Sequence, residues 1–162
     1  MSFVIVNCTA ETFTPTRSGA ICTFIWEICN CAQREGIQPW VITKTSPAAP
    51  YAWPKTIFLK YPWIPKSKYL SKLFYIQRDL TGWGHVRQLA YNKRVAKAIR
   101  KKKLDKLPIL LHNDIELAVY LREQFPNAKI VHHAHNDNTC SEKFRNRFKS
   151  SVDAATAVSS SC

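Results

Sequence analysis

The stretch KIVHHAHNDN, residues 129–138, decides the reading of this chain. Ile130 and Val131 open a short apolar strand that runs straight into His132, His133 and His135, followed by Asn136 and Asp137. Groups capable of chemistry therefore sit at a strand's carboxyl end, which in an open α/β sheet is the end where ligands bind. Alternation along a strand sends His132 and His133 to opposite faces, so both read as core or edge histidines. His135, past the strand end, is the candidate for hydrogen bonding to a sugar or phosphate oxygen. The spacing of His132, His133, His135 and Cys140 fits no familiar zinc pattern, and no metal is expected.

Working outward, SFVIVNC (2–8) is a near-continuous apolar run, the mark of a strand buried on both faces. The loop TAETFTPTRSG ends at Gly19. Ile21, Phe24, Ile25, Ile28, Cys29 and Ala32 then recur at helical spacing, with Gly36 where a left-handed cap is usual. Trp40 to Thr43 is a second strand. Five prolines between 45 and 67 exclude a long helix there, though Thr56 to Lys60 can form a short third strand. Residues 68–103 turn helical, in two pieces broken near Thr81 to Gly84. Leu107 to Leu111 is a fourth strand. Asn113 or Asp114 caps a helix through Phe125, with Glu116 placed to close a capping box if Asn113 is the cap. Lys129 to His133 is the fifth strand, Ser141 to Lys149 a short basic helix and Ala154 to Val158 a sixth strand.

This alternation predicts one α/β domain over 1–162: a Rossmann-like, doubly wound, mostly parallel six-strand sheet with helices on both faces. In the commonest strand order, 3-2-1-4-5-6, strands one, four and five are neighbours. Their loops, residues 9–19, 112–114 and 133–138, then share one crevice. Gly19 at the helix entrance would let a diphosphate approach the backbone amides, with Arg17 adding charge; the alternative is a glycine that only makes the turn. Asp114 and Asp137 fall in the crevice as possible proton acceptors or sugar ligands, beside Asn113 and Asn136. There is no G-x-G-x-x-G and no phosphate loop, which disfavours a nicotinamide cofactor.

Length and composition bound the rest. A chain of 162 residues has room for one domain with a real core, and 46% hydrophobic residues with five tryptophans argue against disorder. The net charge of +13 calls for an anionic partner. Nearly all of it lies between residues 60 and 106, where fourteen lysines and arginines face only Asp79 and Asp105. Tyr61, Trp63, Tyr69, Trp83 and Tyr91 are interleaved with them, so 66–106 suits an anionic membrane surface or a charged acceptor. No nucleic-acid module signature is present, and nucleic acid is disfavoured. The N-terminal apolar run, Phe3 to Val6, is far too short for a signal peptide and no apolar run has spanning length, so the expected location is the cytoplasm, extending to the inner face of the membrane. The six cysteines then read as reduced thiols, and Cys29 and Cys31, two apart on a helix, as no redox pair.

Three segments together resemble the N-terminal domain of a GT-B fold glycosyltransferase of the family-4 type. TRSGAICTFIWEICNCAQREGIQPWVIT resembles that family's first-strand loop, glycine-led helix and second strand. LPILLHNDIELAVYLREQFPNAKIVHHAHND resembles its fourth strand, helix and fifth strand, and SVDAATAVSSS its sixth. The resemblance implies the acceptor-side half of a retaining glycosyltransferase, with a nucleotide-sugar as co-substrate, no tightly bound cofactor, and a saccharide or lipid-linked acceptor such as a cell-surface polysaccharide or glycolipid precursor. By the same resemblance Gly19, with Arg17 and Ser18, would approach the donor diphosphate, and His135 would contact the donor sugar near the reacting carbon. Ser18 stands where the family carries a second glycine. The family's basic pair and E-x7-E motif belong to a C-terminal nucleotide-sugar-binding domain, expected here as a separate domain or partner chain without which activity is not expected. The alternative is a non-catalytic acceptor- or membrane-binding module on the same fold.

Overall fold

A computed structural model of the chain describes residues 2–16, 19–62, 86–135 and 142–157. Six strands form one all-parallel sheet: β1 (Ser2–Val6), β2 (Gln38–Lys44), β3 (Lys55–Leu59), β4 (Ile109–His112), β5 (Ile130–Ala134) and β6 (Ala154–Ala157). Their spatial order is β3-β2-β1-β4-β5-β6, the order expected from the sequence. Between them run α1 (Ala20–Arg34), α2 (Val86–Lys102), α3 (Ile115–Gln124) and α4 (Glu142–Lys149).

Period-two alternation turns the apolar runs into two cores. Val4, Val6, Ile42, Ile109, Leu111 and Ile130 point to one face, where Tyr91, Val95 and Ile99 of α2 and Leu117 and Leu121 of α3 cover them. Ile5 and Val41 point to the other, against Ile21, Cys22, Ile25 and Cys29 of α1 and Phe13 of the loop before it. A strand buried on both faces has no polar side, which is why β1 reads as an unbroken apolar run. Each of these wholly buried aliphatic side chains contributes about 1.5–3 kcal/mol.

The helix ends correct two details. Helix α1 closes as expected, with Gly36 at φ 66° and its N–H donated to the Gln33 carbonyl at 3.0 Å. Phe24, expected in the apolar stripe of α1, is instead 38% exposed. For α3 the cap is Asp114, whose Oδ1 accepts the Leu117 N–H at 2.9 Å. The third helical position is therefore Leu117, so Glu116 cannot close a capping box. Cys8, Cys22 and Cys29 are buried free thiols and Cys31 is exposed, which puts Cys29 and Cys31 on different sides of the helix. Arg17, Ser18, Asn136, Asp137, Cys140, Cys162 and the expected helix between 68 and 85 lie outside the described residues.

Candidate functional site

The carboxyl ends of β1, β4 and β5 are adjacent because β1 pairs with β4 and β4 with β5. In the β4–β5 register His112 lies beside His133, and alternation turns the His133 ring toward α1. His132 turns the other way and meets the Phe148 ring at 4.9 Å. His135, just beyond the strand, completes a cluster with His112 and His133, with ring centroids 4.6 to 5.4 Å apart. Phe24 of α1 closes it from above, stacked on His133 at 4.8 Å and edge-on to His112 and His135 at 5.9 and 5.5 Å. The exposure of Phe24 thus has a cause: its partner is imidazole rather than aliphatic core.

Hydrogen bonds fix the cluster. His112 Nδ1 lies 2.9 Å from His135 Nε2, and His133 Nδ1 lies 2.6 Å from Thr156 Oγ1. Asn113, at φ 54°, donates its N–H to the His133 carbonyl at 2.9 Å and accepts the His135 N–H on Oδ1 at 3.3 Å. The left-handed backbone that a β-branched residue would resist comes readily to asparagine. Burial, helped by the neighbouring imidazoles, pushes His112 down to about 3. Burial, then His133, lower His135, while Glu11 pulls it back upward. Burial lowers His133 as well, so all three rings are biased toward the neutral form. Among the described residues no group of three or more His, Cys, Asp or Glu side chains is arranged to hold a metal ion.

The entrance of α1 is the third side of the site. Gly19 is the N-cap residue and has no side chain to satisfy the first-turn amides. Glu11 does this instead: its Oε2 accepts the Cys22 N–H at 3.0 Å. A Cβ added at Gly19 would lie 2.2 Å from Glu11 Oε1, so the glycine makes room for a carboxylate. The Glu11 loop is pinned. Asn7 Nδ2 donates to the Glu11 carbonyl at 3.2 Å, Lys44 Nζ to the Thr9 carbonyl at 2.6 Å, and Phe13 N–H to Thr43 Oγ1 at 3.3 Å. An anion does sit at the positive end of α1, and it belongs to the protein.

These contacts put Asn113 against His135 and link Gly19 to them through Glu11. The chain of contact runs from Gly19 to Glu11, whose charge reaches His135, and from His135 to Asn113. No protein-family model matches the chain, and no curated protein matches it. Among solved structures it is similar to Arabidopsis thaliana UGT89C1, solved in complex with UDP, at 11% identity and a TM-score of 0.48. The match covers 98% of this chain and 45% of that one, so the chain spans less than half that neighbour's length.

Asp114, expected in the crevice as a proton acceptor or sugar ligand, has both oxygens engaged by the protein. Oδ1 caps α3 and Oδ2 accepts from Gln88 Nε2 at 2.6 Å. Gln88 is itself held by Asn92 Oδ1 at 3.0 Å and Thr9 Oγ1 at 3.3 Å. Desolvation raises the Asp114 carboxyl to about 6, against the lowering effect of the Leu117 and Gln88 bonds. Because its folded pKa lies above its unfolded value, the group's relative stabilisation is full below about pH 4 and is lost as pH rises toward 6. Asp114→Asn, which keeps the capping oxygen but turns an amide NH2 toward the Gln88 Nε2 donor, is expected to remove this pH dependence while losing the Gln88 bond. Urea melts of both proteins at pH 4 and pH 7 check it.

Sequence reasoning missed His112, Phe24, Glu11 and Gln88. His112 carried a signal: it closes the apolar run LPILLH and falls in the loop 112–114, yet was given no role of its own.

Proposed function

We propose that the chain is the acceptor-side half of a retaining glycosyltransferase, working with a nucleotide-sugar-binding C-terminal domain or partner chain. One observation supports this: Asn113 bonds His135, and Glu11, which packs on Gly19, is the charge acting on His135, although Gly19, Asn113 and His135 are 94 and 22 positions apart in sequence. Breaking the bond from sugar to diphosphate needs placed donors for the charge that develops on the leaving oxygen. The amides at the start of α1 suit it, with Arg17 and Ser18 beside Gly19 contributing on this reading. His135 meets the sugar, and Asn136 and Asp137, next along the chain, meet its hydroxyls. Asn113 sets the backbone of His135. Asp114, with both oxygens in use, serves as scaffold. The acceptor is a saccharide or lipid-linked saccharide.

The test is reconstitution. The chain is combined with a separately produced C-terminal GT-B domain and assayed with nucleotide-sugars and lipid-linked saccharide acceptors. Sugar transfer that needs both parts, and that His135→Ala lowers about tenfold, is the expected result. Transfer by the chain alone would end the half-site reading.

A second reading, a non-catalytic module for anionic membranes or acceptors, is favoured by α2. Lys93, Arg94, Lys97, Arg100 and Lys101 are all exposed and recur at helical spacing on its outer side, opposite buried Tyr91, Val95 and Ile99. No helix among the described residues is long and apolar enough to cross a membrane. A peripheral contact predicts co-sedimentation with anionic but not neutral vesicles, weakening as salt rises. Vesicle binding with no turnover in the reconstituted pair would favour the module over the enzyme.

A further inference from the structure

Two neighbouring residues of the β4 end hold His135, one by its backbone and one by its ring. Asn113 takes the His135 N–H, while His112 Nδ1 stands 2.9 Å from His135 Nε2. The edge-on contacts of Phe24 with both rings limit their rotation. Two neutral imidazoles at this distance share one proton, so one nitrogen donates and the other accepts.

His112 decides which. Its side chain is fully buried, and its Nε2 has no hydrogen-bond partner among the described residues. A buried N–H left without an acceptor is the rarer and costlier orphan, whereas an unused lone pair is better tolerated. The proton of His112 therefore belongs on Nδ1, where it has a partner.

We propose that His112 is a positioning residue: its Nδ1–H donates to His135 Nε2 and leaves His135 with Nδ1–H as the donor available to a ligand oxygen. This rests on the reading that His135 meets the donor sugar, and it sharpens that reading. A ring fixed in this tautomer gives a hydrogen bond to a hydroxyl or leaving oxygen; it does not take the acceptor's proton. Burial and the surrounding His133 and His135 rings keep His112 from gaining a second proton at neutral pH. Glu11 is the negative charge facing His135.

The experiment reads the tautomer directly, in the full chain labelled with nitrogen-15, from two-bond ring-proton correlations at pH 7.5. Expected is His135 protonated at Nδ1 in the wild type, a switch toward Nε2–H in His112→Phe, and retention of Nδ1–H in His112→Asn, whose amide N–H can replace the lost donor. Finding Nε2–H in the wild type overturns the proposal, and so does an unchanged tautomer in His112→Phe. Should His112→Phe fail to fold, the wild-type spectrum and His112→Asn still decide. None of these readouts depends on sugar transfer, so failure of the glycosyltransferase reading would show separately, in the reconstitution assay.

Discussion

Arg122→Ala lowers the unfolding free energy by about 2 kcal/mol, read as a drop in the urea midpoint with an unchanged slope. The side chain is 21% exposed and its guanidinium binds four acceptors at once. Nε donates to the Ser151 carbonyl at 3.1 Å, Nη1 to the Pro126 and Ala128 carbonyls at 2.7 and 2.9 Å, and Nη2 to Asp153 Oδ2 at 2.8 Å. One side chain of α3 thereby ties the turn before β5 to the approach to β6. Truncation leaves the part-buried Ser151 and Ala128 carbonyls without their donor, and an orphaned polar group costs more than a typical bond contributes. Arg122→Lys should fall between, because an ammonium lacks the planar fork that spans this many acceptors. Asp153 adds an acid signature. Its carboxyl is held below the usual range first by the Ile130 N–H, 2.7 Å from Oδ2, and then by Arg122. With the folded pKa depressed, this contribution is present above the unfolded carboxyl value and fades as pH falls through the folded one. The alanine variant should lose part of that acid sensitivity. A midpoint shift worth under about 1 kcal/mol would mean that solvent already serves these carbonyls.

Glu11→Gln should tighten binding of a nucleoside diphosphate about 30-fold, measured by titration calorimetry on the full chain at low salt. Glu11 Oε2 already accepts the Cys22 N–H at the positive end of α1, where the diphosphate is proposed to approach. Two anions in one such place repel by about 2 kcal/mol at an effective dielectric between protein surface and water. Glutamine keeps an oxygen for the Cys22 N–H but carries no charge, so the helix cap survives while the competitor is discharged. Its stability cost is about 0.5 kcal/mol, the lost interaction with the helix dipole. Gly19→Ala is the matched control: its Cβ would meet the Glu11 carboxylate, forcing that flexible side chain aside and crowding the amides. Unchanged or weaker binding by Glu11→Gln would place the phosphates away from α1.

The sheet was legible because its signals are local and repeated. SFVIVNC, WVIT and LPILL each spell a strand without reference to the others, and Gly36 and Pro126 mark where helices stop. The shared end of β1, β4 and β5 followed from the strand order, and with it the contact of Asn113 with His135. What could not be read depends on direction in space. Phe24 matches the helical apolar spacing as well as Ile25 does, and only the position of β5 turns one toward imidazole and the other into the core. Glu11 lies eight residues before Gly19 in an irregular loop, where no periodicity shows that its carboxylate folds back onto the helix entrance. Asp114 was read as chemistry because a carboxylate at a strand end looks catalytic. One oxygen caps its own helix through Leu117, three residues on and open to the sequence as a cap; the other is taken by Gln88 from a distant helix, which no local pattern shows.

The split of His132 and His133 across the sheet bears on how this chain tolerates changes in length. Side chains on β5 obey an odd–even rule, so losing or gaining one residue between Pro126 and Lys129, with pairing re-formed, would exchange the two histidines' sides. The ring now against Phe148 would then face Phe24, and the Thr156 partner would be stranded opposite. Single-codon indels in that turn should therefore be far more damaging than substitutions at the same positions.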